Sequence, residues 1–446
     1  MRNDELGLGE LIAEITPDIF SEVSGQPGAT LNIDIRNHGV TPTIEYLILT
    51  VTAPTGKIDR SFLVKRALSQ AKKNELTDII YGVSCNTFKI EHALLGRYIK
   101  GGCIVPAPIG QAKSKILLAE MIEGDFLDKR LYEARNNEDA RAALVEKTIL
   151  SLCDFHGVGR NVQGDIFLHT DPNEITRKGD IMGRAEHYFL VLSARNKNFL
   201  DDVKMSSNGN GSLLERIRDN CRKNFDIFKD YFEVVKKSSQ DSQLIHGDMT
   251  TYHVIINKDE QIGFIDLGKP KFLPVDYDTT NIYFSQDANL PIDRIRELNI
   301  RYLERVAEKI TGQKRLNEET EPGKFKSLLL ASAFSNIRRG TKSRVLRLGL
   351  PDQYQRLVEN HPTYADAESY YKDSTLLINR YLISNSTQLG VSEYEIGAIS
   401  RLSQMIDREL NGQGDLSGMP RKTIPIRDIK SSRPENMGQR AHKAQV

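Results

Sequence analysis

Residues 244–268 read LIHGDMTTYHVIINKDEQIGFIDLG, and no other stretch limits so sharply what this chain can fold into. LI, VII and IGFI are short apolar runs of strand character. NKDEQ between the last two is a turn signal, so the second half of the stretch is a tight hairpin. Asp248 stands in a loop just past the first strand, and Asp266 directly follows the last. A hairpin that short returns the chain to its starting point, so the two carboxylates, eighteen residues apart, are expected at one mouth of a cleft. His253, five residues after Asp248, adds a further polar side chain to the same loop. Carboxylates on loops need rigid walls around them, and the rest of the chain supplies candidates.

Upstream, TLNIDIR (30–36), IEYLILTVTA (44–53) and SFLVKRAL (61–68) alternate with period two and are parted by NHGVTPT and PTGKIDR, which predicts an antiparallel meander. A helix follows, with Ile90, Leu94, Leu95, Tyr98 and Ile99 on one face and a stop at Gly101-Gly102. IVPAPIG leads to the strand KILLAEMI (115–122), which ends at Glu123-Gly124. Helices are predicted around 146–159 and over 213–237, the second with Leu214, Ile217, Cys221, Phe225, Phe228 and Phe232 as its core stripe. NKNFLDDVKMSSNGNGS (196–212) reads as a surface loop, and beyond 290 the pattern is helical to about 410. The expected class is therefore α+β and bilobed: a small antiparallel-sheet lobe, and a large, mainly helical lobe with a helical extension. The expected divisions are an N-terminal extension (1–29), the first lobe (30–122), the second lobe (123–290), its helical continuation (291–410) and a tail (411–446). The tail is rich in Gly, Pro and Ser, carries 7 Lys+Arg against 3 Asp+Glu, and is expected to be disordered and basic.

Composition removes several classes. At 446 residues the chain is too long for one compact core. Lys+Arg 61 against Asp+Glu 60 gives no global push toward nucleic acid or a membrane surface. Cys85, Cys103, Cys153 and Cys221 form no Cys-x-x-Cys pair, which argues against a zinc knuckle and for a reducing compartment. No apolar run reaches the length of a transmembrane segment, so a soluble, cytoplasmic protein is expected. Neither GLG at 7–9 nor GNG at 209–211 sits between a strand and a helix, and no Gly-x-x-x-x-Gly-Lys-Ser/Thr run occurs, which excludes a P-loop.

Two converging carboxylates and a nearby imidazole suit phosphoryl transfer. That reaction needs the attacking hydroxyl aimed and the phosphate charge neutralised by metal and cations, with little covalent help. The sequence then becomes specific. HGD at 246–248, a polar residue five after the Asp, and IDLG at 265–268 together resemble the catalytic loop and metal-binding segment of the protein-kinase-like fold. They are most similar to its aminoglycoside phosphotransferase, choline kinase and lipopolysaccharide (heptose or Kdo) kinase branches. The resemblance runs over roughly residues 30–290. It implies an ATP-dependent phosphotransferase, with Asp248 and His246 in the catalytic loop, and Asp266 and His253 holding Mg2+ or Mn2+. It further implies that Lys65 grips the nucleotide phosphates and pairs with Glu91, that Gly39 belongs to the nucleotide loop, and that Glu120, Met121 and Ile122 present backbone to adenine. CDFHGVG resembles a helix end common in the aminoglycoside branch, where His156 is read as structural, and Asp278 in PVDYDTTNIYF resembles the buried aspartate that holds the catalytic loop.

Two departures bear on activity. His253 stands where most kinases have Asn, and an imidazole is a poorer ligand for hard magnesium than for manganese. NHGVTPT offers one glycine in place of a Gly-x-Gly-x-x-Gly run. Glu75 competes with Glu91 as the partner of Lys65. A pseudokinase or nucleotide-binding scaffold, or an atypical protein kinase working through the helical C-terminal region, is the alternative to a kinase of a small-molecule or glycan hydroxyl. Residues 323–349 carry Lys324, Lys326, Arg338, Arg339, Lys342, Arg344 and Arg347 with no acid, which is either a solvated face or the wall of a site for an anionic acceptor. A nucleic acid acceptor has no support beyond this basic run and the tail.

Overall fold

The computed structural model describes residues 32–40, 44–52, 59–67, 87–112, 116–169, 225–238, 243–267, 271–311, 321–349 and 351–410. The expected N-terminal extension, Glu75, the 196–212 loop and the basic tail lie outside these residues. So does the N-terminal half of the helix expected over 213–237.

The architecture is α+β, with a small antiparallel sheet and a larger, mainly helical part. Strands β1 (Asn32–Val40), β2 (Ile44–Thr52) and β3 (Asp59–Ala67) form the meander. After α1 (Thr87–Lys100) come β4 (Pro108–Ala112) and β5 (Ile116–Glu120), and the five strands make one antiparallel sheet in the order β1-β2-β3-β5-β4. The meander is as expected, but β4 is a strand that IVPAPIG did not announce. Gly39 lies within β1 rather than in the connecting loop, next to a register shift between Asn37 and Gly39.

Alternation sorts the sheet's two faces. Leu47, Leu49, Phe62, Val64 and Leu118 are buried on one. On the other, Tyr46 faces Lys65 and Leu117, and Ile48 faces Leu63 and Ala119. Leu117 and Ala119 join Phe88, Leu94, Leu95 and Tyr98 of α1 in a common core, so α1 packs on this second face. Ile99, expected on the same stripe, is exposed. α1 ends where Gly102 turns left-handed with φ 82, a conformation that costs glycine little.

β6 (Gly124–Phe126) leaves the sheet and pairs with β8 (Val254–Asn257), which in turn pairs with β9 (Ile262–Phe264). A Cβ at Gly124 would lie 2.2 Å from the carbonyl of Ile256, so this crossing excludes any larger residue. α2 (Leu127–Glu133) and α3 (Glu138–His169) follow, then α4 (Phe225–Ser238) and β7 (Gln243–Ile245). On α4 the side chains described as buried are Tyr231, Val234 and Val235; Phe225, Phe228 and Phe232 of the expected stripe lie outside the described side chains. β10 (Lys271–Leu273) pairs with β7 and leads into α5 (Asp276–Tyr283), which is buried along its whole length.

The remainder is helical: α6 (Ile292–Thr311), α7 (Glu321–Gly349), α8 (Pro351–Asn360), a short 3-10 turn (Pro362–Asp366), α9 (Ala367–Ser384), α10 (Ser386–Leu389) and α11 (Glu393–Leu410). Phe325, Leu328, Leu329, Ala333 and Phe334 of α7 share one core with Leu376, Ile378 and Leu382 of α9. Each of the Leu, Ile and Phe side chains contributes roughly 1.5–3 kcal/mol on burial. That core is continuous with the one under the Asp248 loop through Tyr277, Ile282 and Phe284. None of the described helices is long and apolar enough to cross a membrane.

One short link joins the sheet lobe to the hairpin that carries Asp266. Ile104, just beyond α1, bridges to Gly263, and its carbonyl accepts from Phe264 N–H at 2.9 Å. A Cβ at Gly263 would meet Ile122 Cδ1 at 3.0 Å and Ile104 Cγ2 at 3.2 Å, which is why the hairpin carries glycine there.

Candidate active site

Lys65 reaches the cleft because β3 alternates, sending Phe62 and Val64 to the buried face and Leu63 and Lys65 to the other. Its ammonium donates to Glu91 Oε1 at 2.6 Å and to Asp266 Oδ1 at 2.7 Å. Burial alone would lower the pKa of this ammonium. Asp266, then Glu91, outweigh that and hold it above the ordinary lysine range, so Lys65 stays charged. The interval between Lys65 and Glu91 is bridged by α1 lying on the sheet; Asp266 comes from the other side of the cleft, at the end of β9.

Asp266 has a left-handed backbone, φ 64, which aspartate tolerates better than most residues. The Asp248 loop is fixed from beneath by Asp278, which is wholly buried. Asp278 Oδ2 accepts from the amide of His246 at 2.8 Å, and Oδ1 from the amide of Gly247 at 3.0 Å. Gly247 sits at φ 79, where a side chain would strain the turn. His156 Nε2 lies 3.0 Å from the same Asp278 Oδ2, and its Nδ1 lies 2.9 Å from the Tyr302 hydroxyl.

His246, placed in the catalytic loop on sequence, turns both ring nitrogens to backbone. Its Nε2–H donates to the carbonyl of Ile265 at 2.8 Å, and its Nδ1 accepts from the amide of Asp248 at 3.4 Å. With both nitrogens on backbone and the residue only 1% exposed, it braces the two carboxylate-bearing loops against each other.

His253 is placed differently. A carbonyl only accepts, so the 2.7 Å contact between its Nδ1 and the carbonyl of Asp248 puts the proton on Nδ1. Burial holds this imidazole below its ordinary pKa against the pull of Asp266 and Asp248. Nε2 therefore presents a lone pair, 3.5 Å from Asp266 Oδ2. A lone pair beside a carboxylate oxygen is a donor set for a cation. The Lys65 ammonium faces two carboxylates, Glu91 and Asp266, so the site holds a net negative charge that a cation would offset. Among the described residues no group of three or more His, Cys, Asp or Glu side chains gathers to hold a metal. Asp266 and His253 are the two side chains here that could share a cation, and they would supply only part of its ligands.

At the junction between the lobes, the amide of Glu120 donates to Ala107 and that of Met121 to Ser61, at 2.8 and 3.3 Å. The Met121 amide is therefore engaged within the sheet. Ile122 packs over Gly263. Ile48 and Leu63 lie half-buried on the same face of the sheet as Lys65.

Several side chains around the loop escaped sequence reasoning. Tyr46 stands directly across from Lys65, a position that the period-two pattern could have supplied. Tyr252 lies with its ring 5.0 Å from that of His253 and 5.2 Å from that of His361, which pairs with Asp128. Asp287 accepts from Thr251 and Thr363 at 2.8 and 2.6 Å. These contacts join the loop to residues a hundred positions further on, and no local signal announces them. Of the basic run on α7, Lys326 pairs with Glu395 and Arg347 with Glu368. Arg339 makes no ion pair among the described residues and lies over the ring of Tyr371, 5.4 Å from its centre. The Tyr252 hydroxyl, held above its ordinary pKa by burial, feels both Asp248 and Arg339. Arg338, Lys342 and Arg344 lie outside the described side chains.

A sequence profile of the RIO domain matches residues 203–308, less than half of the chain, a span that includes the Asp248 loop and the Asp266 segment. Comparison with curated proteins finds no match. Among solved structures the chain is similar to a choline kinase from Cryptosporidium parvum Iowa II, at 12% identity over 89% of this chain and 99% of that one, with a TM-score of 0.49. It is also similar to an ethanolamine kinase from Plasmodium vivax, at 14% identity over 81% and 88%, TM-score 0.49. A third is an aminoglycoside phosphotransferase from Alicyclobacillus acidocaldarius, at 14% identity over 81% and 94%, TM-score 0.39.

Proposed function

We propose that the chain is an ATP-dependent phosphotransferase that phosphorylates a hydroxyl of a small molecule or glycan, in the manner of the aminoglycoside phosphotransferase and lipopolysaccharide kinase branches. The observation that carries this is the meeting of Lys65, Glu91 and Asp266 above a loop in which Asp278 and His246 fix the backbone of Asp248. Asp248 orients the acceptor hydroxyl and takes its proton. Lys65, kept charged by its two carboxylates, contacts the nucleotide phosphates. Asp266 and His253 hold Mg2+ or Mn2+, which neutralises phosphate charge when bound. Adenine stacks on the sheet face that carries Ile48 and Leu63, with the Glu120–Ile122 segment along its edge. Arg339, over the ring of Tyr371 and without an ion pair among the described residues, favours an acceptor that bears an anionic group.

A second reading, with a protein as the acceptor, is favoured by the RIO domain match. The two separate by assay. Purified protein with ATP and Mg2+ or Mn2+ is expected to phosphorylate a member of a library of anionic sugars and metabolites. Asp248→Ala is expected to lower turnover about 10²–10⁴-fold, and Asp266→Ala to weaken metal-dependent nucleotide binding. Transfer to protein alone would favour the second reading, and nucleotide binding with no transfer to any acceptor would leave a scaffold.

A further inference from the structure

We infer that Tyr46 is a phosphate contact, its phenolic hydroxyl donating a hydrogen bond to the nucleotide in the space roofed by Lys65; this deepens the phosphotransferase reading and rests on it. The ladder places Tyr46 on β2 directly opposite Lys65 on β3. Opposed residues of an antiparallel pair project from the same face with Cβ atoms roughly 5 Å apart, so the ring starts beside the ammonium. On its other flank, the residue opposite Tyr46 is Gly39 on β1, beside the register shift. With no side chain at Gly39, nothing on that strand position competes with the ring for the cleft. Tyr46 is half-buried, and its hydroxyl has no hydrogen-bond partner among the described residues.

The groups that act on this hydroxyl are Asp266, Lys65, Glu91 and Asp248, the same set that frames the proposed nucleotide site. Burial, then Asp266, push the phenol above its ordinary range, so it keeps its proton and serves as a donor, not as a base. The site is short of such donors. Two of the three N–H groups of Lys65 already go to carboxylates. Glycine-rich turns cradle phosphates with backbone amides, but the stretch from Asn37 to Thr43 has one glycine, and that glycine is in the strand. A tyrosine hydroxyl aimed from the sheet supplies a donor by another route.

The test is Tyr46→Phe, which removes only the O–H. Calorimetric titration of the full chain with ATP and with adenosine, in manganese, is expected to show ATP weakened about tenfold, the effect of losing one hydrogen bond to a charged group. Adenosine is expected to bind both proteins alike. Equal ATP affinity in the two proteins, or a matching loss for adenosine, would overturn the role of Tyr46 and leave the phosphotransferase reading in place. A native chain that binds neither ligand would remove both. Tyr46→Leu is expected to match Tyr46→Phe for ATP; a much larger loss in the leucine variant alone would assign the effect to ring packing.

Discussion

Asp278→Ala is the substitution with the most direct consequence for the proposed site. In the native chain this wholly buried carboxylate accepts from two backbone amides and meets one imidazole nitrogen, at 2.8, 3.0 and 3.0 Å. Alanine leaves the amides of His246 and Gly247 and the Nε2 of His156 without that partner, in a place water does not reach. A buried donor left unsatisfied costs roughly 1–3 kcal/mol. His156 keeps its contact to Tyr302, and the loop can relax in part, so the sum is expected at about 3–5 kcal/mol, the range for breaking a buried charged network. Asp278→Asn keeps one acceptor but turns an NH2 toward donors, and is expected to lose about 1–3 kcal/mol. Because the chain has no tryptophan, urea unfolding followed by far-ultraviolet circular dichroism is the suitable assay. ATP turnover is expected to fall further than the folded fraction does, because Asp248 loses its brace. A loss below about 1 kcal/mol for Asp278→Ala, with an unchanged urea slope, would refute the view that this carboxylate holds the loop.

Other expectations follow from single groups. His253→Asn replaces an imidazole donor with an oxygen, so magnesium-dependent nucleotide binding is expected to persist or improve while any preference for manganese shrinks; loss of binding with both ions would give the imidazole another role. Burial pushes Asp276 from 3.8 up to about 6, with the Ser327 hydroxyl pulling the other way. The folded chain thus holds a proton that the unfolded chain releases between about pH 4 and 6, and stability falls as pH rises through that window. Asp276→Asn is expected to remove about 1–3 kcal/mol of this fall, read as urea midpoints at pH 4 and 7; identical pH dependence in the two proteins would contradict it. A Cβ at Gly159 would stand 2.6 Å from the carbonyl of Leu244 and 2.9 Å from the Tyr98 hydroxyl, while one at Gly157 meets nothing within 4 Å. Gly159→Ala is therefore expected to destabilise by about 1–3 kcal/mol and Gly157→Ala to be neutral or mildly stabilising, as thermal melts would show.

The sheet and the Asp266 hairpin were legible because their physics is local. Alternation marks β1 to β3, and NKDEQ marks the turn, where Asn257 Oδ1 accepts from the amides of Asp259 and Gln261. β4 was not legible, since IVPAPIG has two prolines and no alternation, and it owes its strand state to pairing with β5. Motif spacing places His246 in the catalytic loop, where a brace for the backbone was expected over an acid or base, but it does not say which way the ring points; both its nitrogens meet backbone. Ile99 shows the complementary limit, because an apolar side chain on a helical stripe can still fall at the edge of its core. The Asp128–His361 pair and the position of Arg339 depend on how α7 to α9 return to the Asp248 loop, which is a property of the tertiary fold alone.

The tether at Ile104 gives the cleft a mechanical character. Ile104 lies four positions past the end of α1, and Phe264, its bonded partner, lies two positions before Asp266. Only one peptide-to-peptide link therefore lies between the Asp266 segment and the chain just beyond the helix that carries Glu91. The helix that carries Glu91 and the hairpin that carries Asp266 are thus fastened twice, by backbone at Ile104 and by the ammonium of Lys65.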